Sequence, residues 1–191
     1  MPDWSNGYEG IAEAFMRARR ASIGPRVVRR WSTALPAGAS ILDLGCGSGT
    51  PISEVLLQEG FAVYGVDASE TLTARFRERF PGVPVECSPV EESLFFSRRF
   101  DAAIAWGLLF LLPADTQRSL IGKVARALNC DGRFLFTAPR EAGTWADGMT
   151  GLSSYSLGYE AYAQELEAND LRLVGNDLDE GDNYYYFAVK R

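Results

Sequence analysis

The 191-residue sequence contains no histidine, and this absence limits the chemistry that the chain can perform. A mechanism that needs an imidazole base, or a metal held by histidine, is excluded. The three cysteines, Cys46, Cys87 and Cys130, have no paired spacing, which argues against a disulfide framework and a zinc site. We interpret them as buried thiols and predict no bound metal.

Long apolar segments and an excess of positive charge are also missing. The longest apolar stretch, residues 102–112, is interrupted by Gly107 and is shorter than the roughly 20 residues of a membrane span. The N-terminus has no apolar block of the kind that a secretory signal needs. A formal net charge of −6 disfavours a phosphate-backbone partner. We therefore expect a cytoplasmic protein, a monomer or a homodimer, with neither a membrane nor a nucleic-acid partner.

The positive charges that are present cluster near the N-terminus. Six arginines lie between positions 17 and 30, at Arg17, Arg19, Arg20, Arg26, Arg29 and Arg30. Apolar residues at helical spacing in 8–20, and Pro25 directly after Gly24, predict two helices here. We interpret the arginines as the solvated faces of these helices.

From Ser40 onward, apolar strand candidates alternate with helix candidates. The strands are predicted at 40–44, 61–66, 83–87, 100–105 and 132–138, and the helices at 51–59, 69–80 and 114–128. This alternation predicts an α/β fold in which helices cover both faces of a parallel sheet.

The last third of the chain follows a different pattern. A long loop at 139–157 precedes a helix at 158–168 and two strands, 171–176 and 184–190, which a turn joins into an antiparallel hairpin. A loop of this length in a compact domain is usually functional or disordered. We expect a single domain over 1–191, with residues 1–38 as a helical cap, 39–191 as the ligand-binding core and 139–157 as a substrate loop.

The stretch ILDLGCGSGTPIS leads from the first predicted strand through three glycines into a helix. In a doubly wound sheet this loop lies where the ligand binds, beyond the carboxyl ends of the strands. Gly45, Gly47 and Gly49 allow positive φ angles and the close approach of a ligand. A dinucleotide fingerprint would require a further glycine where Thr50 stands, so the spacing argues against a dinucleotide.

Two carboxylates flank this loop. Asp43, at the end of the first strand, would repel a pyrophosphate but suits an ammonium group, so we favour an amino-acid moiety there. Asp67, in VYGVDAS at the end of the second strand, can accept both hydroxyls of a ribose. The alternative for Asp67 is that it only caps the helix that begins near Ser69. Together with the glycines, the carboxylates favour a ligand built from an amino acid and a ribose.

Amino acid plus ribose describes S-adenosylmethionine, and the chain resembles the class I S-adenosylmethionine-dependent methyltransferases that act on small molecules. The resemblance is carried by four motifs in order, ILDLGCGSGTP, VYGVDAS, FDAAIAWGLLFLLP and LNCDGRFLFTAP, and covers about residues 40–139. It implies a doubly wound, Rossmann-like sheet of seven strands in the order 3-2-1-4-5-7-6, with the last strand antiparallel. It also implies S-adenosylmethionine as cofactor and S-adenosylhomocysteine as product.

The resemblance implies cofactor contacts at the ends of the first four strands. The residues concerned are Asp43, Gly45, Cys46, Gly47, Gly49, Asp67, Ala68, Ser88, Val90, Glu91, Trp106 and Gly107. The adenine segment departs from the family, since Ser88 replaces the usual acidic residue and Pro89 has no N–H. We assign the adenine contact to Ser88, Val90 or Glu91, with a solvated helix start as the alternative for Glu91. Trp106 is interpreted either as the floor near the sulfonium or as ordinary core.

Methyl transfer is an in-line displacement from sulfur, so the alignment of nucleophile and methyl group supplies much of the acceleration and a strong base is optional. The catalytic residue is unassigned, and the candidates for a base are Asp147, Glu141 and Tyr155. Arg140 can bind a substrate carboxylate or phosphate, and Trp145 can stack on a planar substrate, unless they only face water and pin the loop.

We therefore predict an enzyme that transfers a methyl group from S-adenosylmethionine to a small-molecule acceptor. One alternative is a protein that binds S-adenosylmethionine or S-adenosylhomocysteine without catalysis. The other is an NAD-dependent oxidoreductase, which the position of Thr50 disfavours.

Overall fold

The computed structural model describes residues 3–191, so the first two residues of the predicted cap lie outside the described residues. The strands are β1 (Ser40–Leu44), β2 (Ala62–Asp67), β3 (Val85–Cys87), β4 (Phe100–Ala105), β5 (Leu128–Thr137), β6 (Gly143–Ala146), β7 (Ser153–Ser156), β8 (Leu171–Leu178) and β9 (Tyr184–Lys190). The α-helices are α1 (Ala12–Ala18), α2 (Pro25–Ser32), α3 (Ile52–Gln58), α4 (Glu70–Arg79), α5 (Ala114–Ala127) and α6 (Tyr159–Ala168). Short 3-10 helices occupy Glu9–Ile11, Phe95–Ser97 and Leu109–Leu111.

Seven of these strands form one sheet in the order β3-β2-β1-β4-β5-β9-β8. Strands β1 to β5 run parallel, and β9 runs antiparallel to both of its neighbours, β5 and β8. The predicted fold is therefore confirmed, with β8 and β9 in the places of the sixth and seventh strands. The reason for the shift in numbering is that β6 and β7 form a separate two-stranded sheet.

Helices cover both faces of the large sheet, as the alternation of elements predicts. Along β5, Phe134 and Phe136 point into one core and Leu135 into the other, because successive side chains of a strand face opposite ways. Helices α5 and α6 supply the first core, and α2 and α3 supply the second. Within residues 3–191, no helix has the length and apolarity required to cross a membrane.

Three details differ from the sequence-based expectations. The segment predicted as one long loop, 139–157, contains the β6–β7 hairpin, which its Gly- and Ser-rich sequence does not reveal because backbone pairing holds it without an apolar alternation. Strand β5 begins at Leu128, ahead of the predicted start at 132, and an irregularity interrupts its pairing with β4. Cys46 is buried, but Cys87 and Cys130 are exposed, so the interpretation of all three as buried thiols is wrong.

Candidate functional site

A cavity lies beyond the carboxyl ends of β1, β2 and β4, where doubly wound sheets bind their ligands. It contains about 1050 Å³ of space free of atoms, the open mouth included. Nine of the twelve predicted cofactor residues line it, namely Gly45, Cys46, Gly47, Asp67, Ala68, Val90, Glu91, Trp106 and Gly107. Gly45 and Gly47 have φ angles of 69° and 54°, which leave the loop backbone open to a ligand.

Asp43 does not line the cavity. Its carboxylate is buried beneath the glycine loop and accepts a hydrogen bond from the Ser53 hydroxyl. Burial raises the pKa of Asp43 to about 7, and the nearby charge of Asp67 acts in the same direction, while the Ser53 hydrogen bond and Arg19 oppose it. Asp43 therefore lies one layer below the surface that a ligand would touch.

Gly49 and Ser88 also lie outside the lining of the cavity. A Cβ atom at Gly49 would stand 2.4 Å from a ring carbon of Phe80, so the absence of a side chain allows α4 to pack against the loop. The Ser88 hydroxyl donates to the carbonyl of Pro89, and it is Pro89 that lines the cavity. At this wall the structure thus presents Pro89, Val90 and Glu91 in place of the predicted serine.

Asp67 joins the glycine loop to the start of α4. One carboxylate oxygen accepts the N–H of Gly47 at 2.8 Å, and the other accepts the N–H of Ser69 at 2.9 Å. The side chain of Ser69, not that of Asp67, caps α4 by accepting the N–H of Leu72. Burial raises the pKa of Asp67, while the two N–H bonds oppose this shift. Each carboxylate oxygen keeps a further acceptor site for a ligand hydroxyl.

Arg19, predicted to be one of the solvated arginines, lines the cavity. Its guanidinium carbon is 4.7 Å from the ring centre of Phe15 and 4.2 Å from that of Trp106, both within the range of cation–π attraction. Its Nε atom is buried and has no hydrogen-bond partner within residues 3–191. Burial lowers the pKa of Arg19 to about 10, so the group stays charged at neutral pH. A buried cation with an unused donor favours an anionic ligand.

The N-terminal segment, predicted only to be a helical cap, forms another wall of the cavity. Four of its residues line the cavity, namely Trp4, Ser5, Asn6 and Tyr8. The carboxylate of Glu9 fastens this segment to the start of α4, because it accepts hydrogen bonds from the Ser69 hydroxyl and from the N–H and hydroxyl of Thr71. No short motif marks these wall residues in the sequence.

A second, more open pocket adjoins the cavity and contains about 1000 Å³ of space free of atoms, open solvent included. Phe110 and Asn183 line both spaces. The two predicted substrate residues, Arg140 and Trp145, meet in this outer pocket together with Glu141. The ring centres of Trp145 and Phe110 are 6.0 Å apart, so an aromatic surface leads from the outer pocket to the cavity.

Comparison with known proteins identifies the part of the chain that builds most of this cavity. Residues 41–132 match a protein family described as a methyltransferase domain. Over these residues the chain is similar to methyltransferases. The match and the sheet order confirm the resemblance drawn from the four sequence motifs. No curated protein matches the chain.

Several solved structures share the fold of the whole chain. The 1,6-didemethyltoxoflavin-N1-methyltransferase of Burkholderia thailandensis, bound to 1,6-didemethyltoxoflavin and S-adenosylhomocysteine, is 21% identical, with 96% of this chain and 84% of that chain covered and a TM-score of 0.76. An amino pentose methyltransferase from Micromonospora echinaspora with bound S-adenosylmethionine is 16% identical, with coverage of 94% and 95% and a TM-score of 0.73. A TehB-like S-adenosylmethionine-dependent methyltransferase from Corynebacterium glutamicum is 20% identical, with coverage of 98% and 97% and a TM-score of 0.71.

Of the three base candidates, only Glu141 lines the cavity or the outer pocket. Asp147 is buried in the turn of the β6–β7 hairpin, where it accepts the N–H groups of Met149 and Thr150 and the Tyr8 hydroxyl. Tyr155 lies in β7, outside both spaces. Asp147 therefore has an evident structural task, which is to hold its turn and join it to the N-terminal segment.

Proposed function

We propose that this chain transfers a methyl group from S-adenosylmethionine to a small-molecule acceptor and releases S-adenosylhomocysteine. The observation that carries the proposal is the cavity, which brings together the glycine loop, the Asp67 carboxylate and the Arg19 guanidinium, whose Nε has no partner within residues 3–191. An amino-acid carboxylate suits Arg19, and ribose hydroxyls suit Asp67. The match to a methyltransferase domain and the structural neighbours that bind S-adenosyl ligands support it.

Bound S-adenosylmethionine supplies a methyl group on a positively charged sulfur. The chain's own contribution is to align the acceptor with that methyl group and to exclude water, which the N-terminal wall and the Trp106 ring favour. We assign the outer pocket to the acceptor, with Trp145 stacking on a planar group and Arg140 binding an anionic group. Glu141 is the base candidate that we retain, because it lies in the same pocket.

The first test is calorimetric titration of the protein with S-adenosylmethionine, S-adenosylhomocysteine and NADH. We expect both S-adenosyl ligands to bind and NADH not to bind. Asp67→Ala should weaken the binding of S-adenosylhomocysteine at least roughly tenfold, because a carboxylate that accepts ligand hydroxyls contributes about 1.5–3 kcal/mol. Formation of S-adenosylhomocysteine with a panel of phenols, amines and carboxylic acids then distinguishes an enzyme from a protein that only binds.

Asp101→Ala is the matched control for this titration. Asp101 is also a strand carboxylate that accepts backbone and side-chain donors, from Ser40 and Asn129, but it lies at the start of β4, away from the cavity. Its loss should lower stability and leave the affinity for S-adenosylhomocysteine unchanged. Binding of NADH in place of the S-adenosyl ligands, or equal losses in the two variants, would contradict the proposal.

A further inference from the structure

Arg19 is the one cationic side chain among the described residues that line the cavity, which also holds the acidic Asp67 and Glu91. Its guanidinium lies between the rings of Phe15 and Trp106. The two aromatic faces hold the planar group without using its N–H donors, so the donors stay available for a ligand. The position of Arg19 therefore depends on what fixes these two rings.

The ring of Trp106 is fixed by a chain of hydrogen bonds that starts in the turn between β8 and β9. The indole N–H of Trp106 donates to the hydroxyl oxygen of Tyr185. The Tyr185 hydroxyl in turn donates to the carboxylate of Asp179 at 2.8 Å. Trp106 and Tyr185 are 79 positions apart in the chain, so this contact exists only because β9 pairs with β5 beside β4.

The far end of the chain of hydrogen bonds is held by the turn itself. Asp179 is buried, and its carboxylate accepts the N–H of Gly181 at 2.8 Å, the N–H of Asn183 at 3.1 Å and the Asn183 amide at 3.0 Å. These three bonds end on Oδ1, while Oδ2 accepts from the Tyr185 hydroxyl and from the Asn183 amide. Asp179 does not line the cavity.

The direction of every bond in this chain is determined by its members. A carboxylate can only accept a hydrogen bond and an indole N–H can only donate one. The Tyr185 hydroxyl therefore donates its one hydrogen bond to Asp179 and accepts the hydrogen bond from Trp106. Burial, and then the bond to Asp179, raise the pKa of Tyr185, which keeps the hydroxyl protonated. The Tyr185 hydroxyl therefore accepts from Trp106 and donates to Asp179 at the same time.

We propose that Asp179 and Tyr185 are positioning residues for a carboxylate-binding site at Arg19. Through Trp106 they hold the guanidinium where it binds the carboxylate of the cofactor's amino-acid moiety. This inference rests on the proposed function, and it adds a role for the final hairpin, which lies outside the matched methyltransferase domain.

The test compares two ligands that differ in the group that Arg19 would bind. S-adenosylhomocysteine carries the amino-acid moiety, and 5′-methylthioadenosine has the same adenosine and sulfur without it. Tyr185→Phe removes the acceptor of the Trp106 N–H. The affinity for S-adenosylhomocysteine should fall roughly three- to tenfold, the effect of one lost buried hydrogen bond. The affinity for 5′-methylthioadenosine should stay the same. Arg19→Met should also lower only the affinity for S-adenosylhomocysteine, and by a larger factor.

Tyr186→Phe is the matched control, because Tyr186 is the next residue of β9, is equally buried and faces the opposite core. It should change neither affinity. In the Arg19→Met variant, adding Tyr185→Phe should not lower the affinity for S-adenosylhomocysteine any further, since the two changes act at one site. Asp179→Asn serves as a second variant should Tyr185→Phe fold poorly. An asparagine NH₂ facing Tyr185 would leave the tyrosine proton without an acceptor, so the same selective loss is expected.

The outcomes separate the two proposals. Equal weakening of both ligands by Tyr185→Phe, or an unchanged affinity for S-adenosylhomocysteine, overturns the role of the hydrogen-bond chain and leaves the proposed function intact. Failure of the unmodified protein to bind either ligand overturns the proposed function, and this inference with it.

Discussion

Gly49 belongs to the glycine loop but acts in packing. Its φ angle is 83°, and an added Cβ would stand 2.4 Å from the Phe80 ring. Gly49→Ala should lower the free energy of unfolding by about 3 kcal/mol, of which about 1–2 kcal/mol comes from the left-handed backbone and the rest from overpacking. Urea denaturation of the variant and the unmodified protein measures this difference.

Gly60→Ala is the control that separates the backbone contribution from the overpacking contribution to the lower free energy of unfolding of Gly49→Ala. Gly60 has nearly the same φ angle, 84°, but an added Cβ would meet nothing within 4 Å. The free energy of unfolding of Gly60→Ala should therefore fall only by the backbone cost of about 1–2 kcal/mol. Equal losses in the two variants would show that α4 moves away from the loop at no cost, contrary to the packing role given to Gly49.

At the scale of elements, the N-terminal wall depends on the contact between Glu9 and the start of α4. Glu9→Ala should accelerate amide hydrogen exchange in residues 3–11 and lower the affinity for S-adenosylhomocysteine several-fold, because three hydrogen bonds to one carboxylate are lost. Hydrogen exchange with mass spectrometry, together with calorimetry, measures both effects.

The contact made by Glu9 is also sensitive to pH. Hydrogen bonds from Ser69 and Thr71 lower the pKa of Glu9 from its usual 4.5. The stabilisation is therefore fully present above pH 4.5 and is lost as the pH falls through the lower value of the folded state. Glu13→Ala is the control, since Glu13 of α1 makes only an exposed ion pair with Arg75 of α4, and such pairs contribute about 0–1 kcal/mol. Faster exchange in both variants would contradict the special role of Glu9.

For the whole molecule, Asp43 couples stability to pH in a chain that has no histidine. The pKa of Asp43 is about 7 in the folded protein against 3.8 ordinarily, so folding takes up a proton between these values. Stability should therefore fall as the pH rises through this window, by up to about 4 kcal/mol, and level off above it. Burial raises the pKa of Asp67 in the same direction.

Asp43→Asn removes the titrating group and keeps an oxygen that can accept from Ser53. Urea denaturation between pH 4 and 8 should therefore show a flatter decline in the variant than in the unmodified protein. The same decline in both proteins would mean that another group takes up the proton.

Local sequence signals were enough to predict the order of the helices and strands of the large sheet and the place of the glycine loop, but not the β6–β7 hairpin. The predicted bounds of β1 and β4 agree with the structure, because each is a mostly apolar run that is largely buried on both faces of the sheet. The alternation of such runs with helices leaves few arrangements of a parallel sheet, and the predicted order is among them. These are local signals, since they depend on residues close together in the chain.

Which side chains meet depends on how distant segments fold together. In sequence, Arg19 does not differ from its neighbours, yet Arg17, Arg20, Arg26, Arg29 and Arg30 are exposed, as predicted, and Arg19 lies in the cavity. Likewise, nothing in the spacing of Trp106, Tyr185 and Asp179 reveals their hydrogen bonds. The physical reason is that a periodic pattern tells which residues are buried, whereas the partner of a buried polar group depends on how distant segments pack.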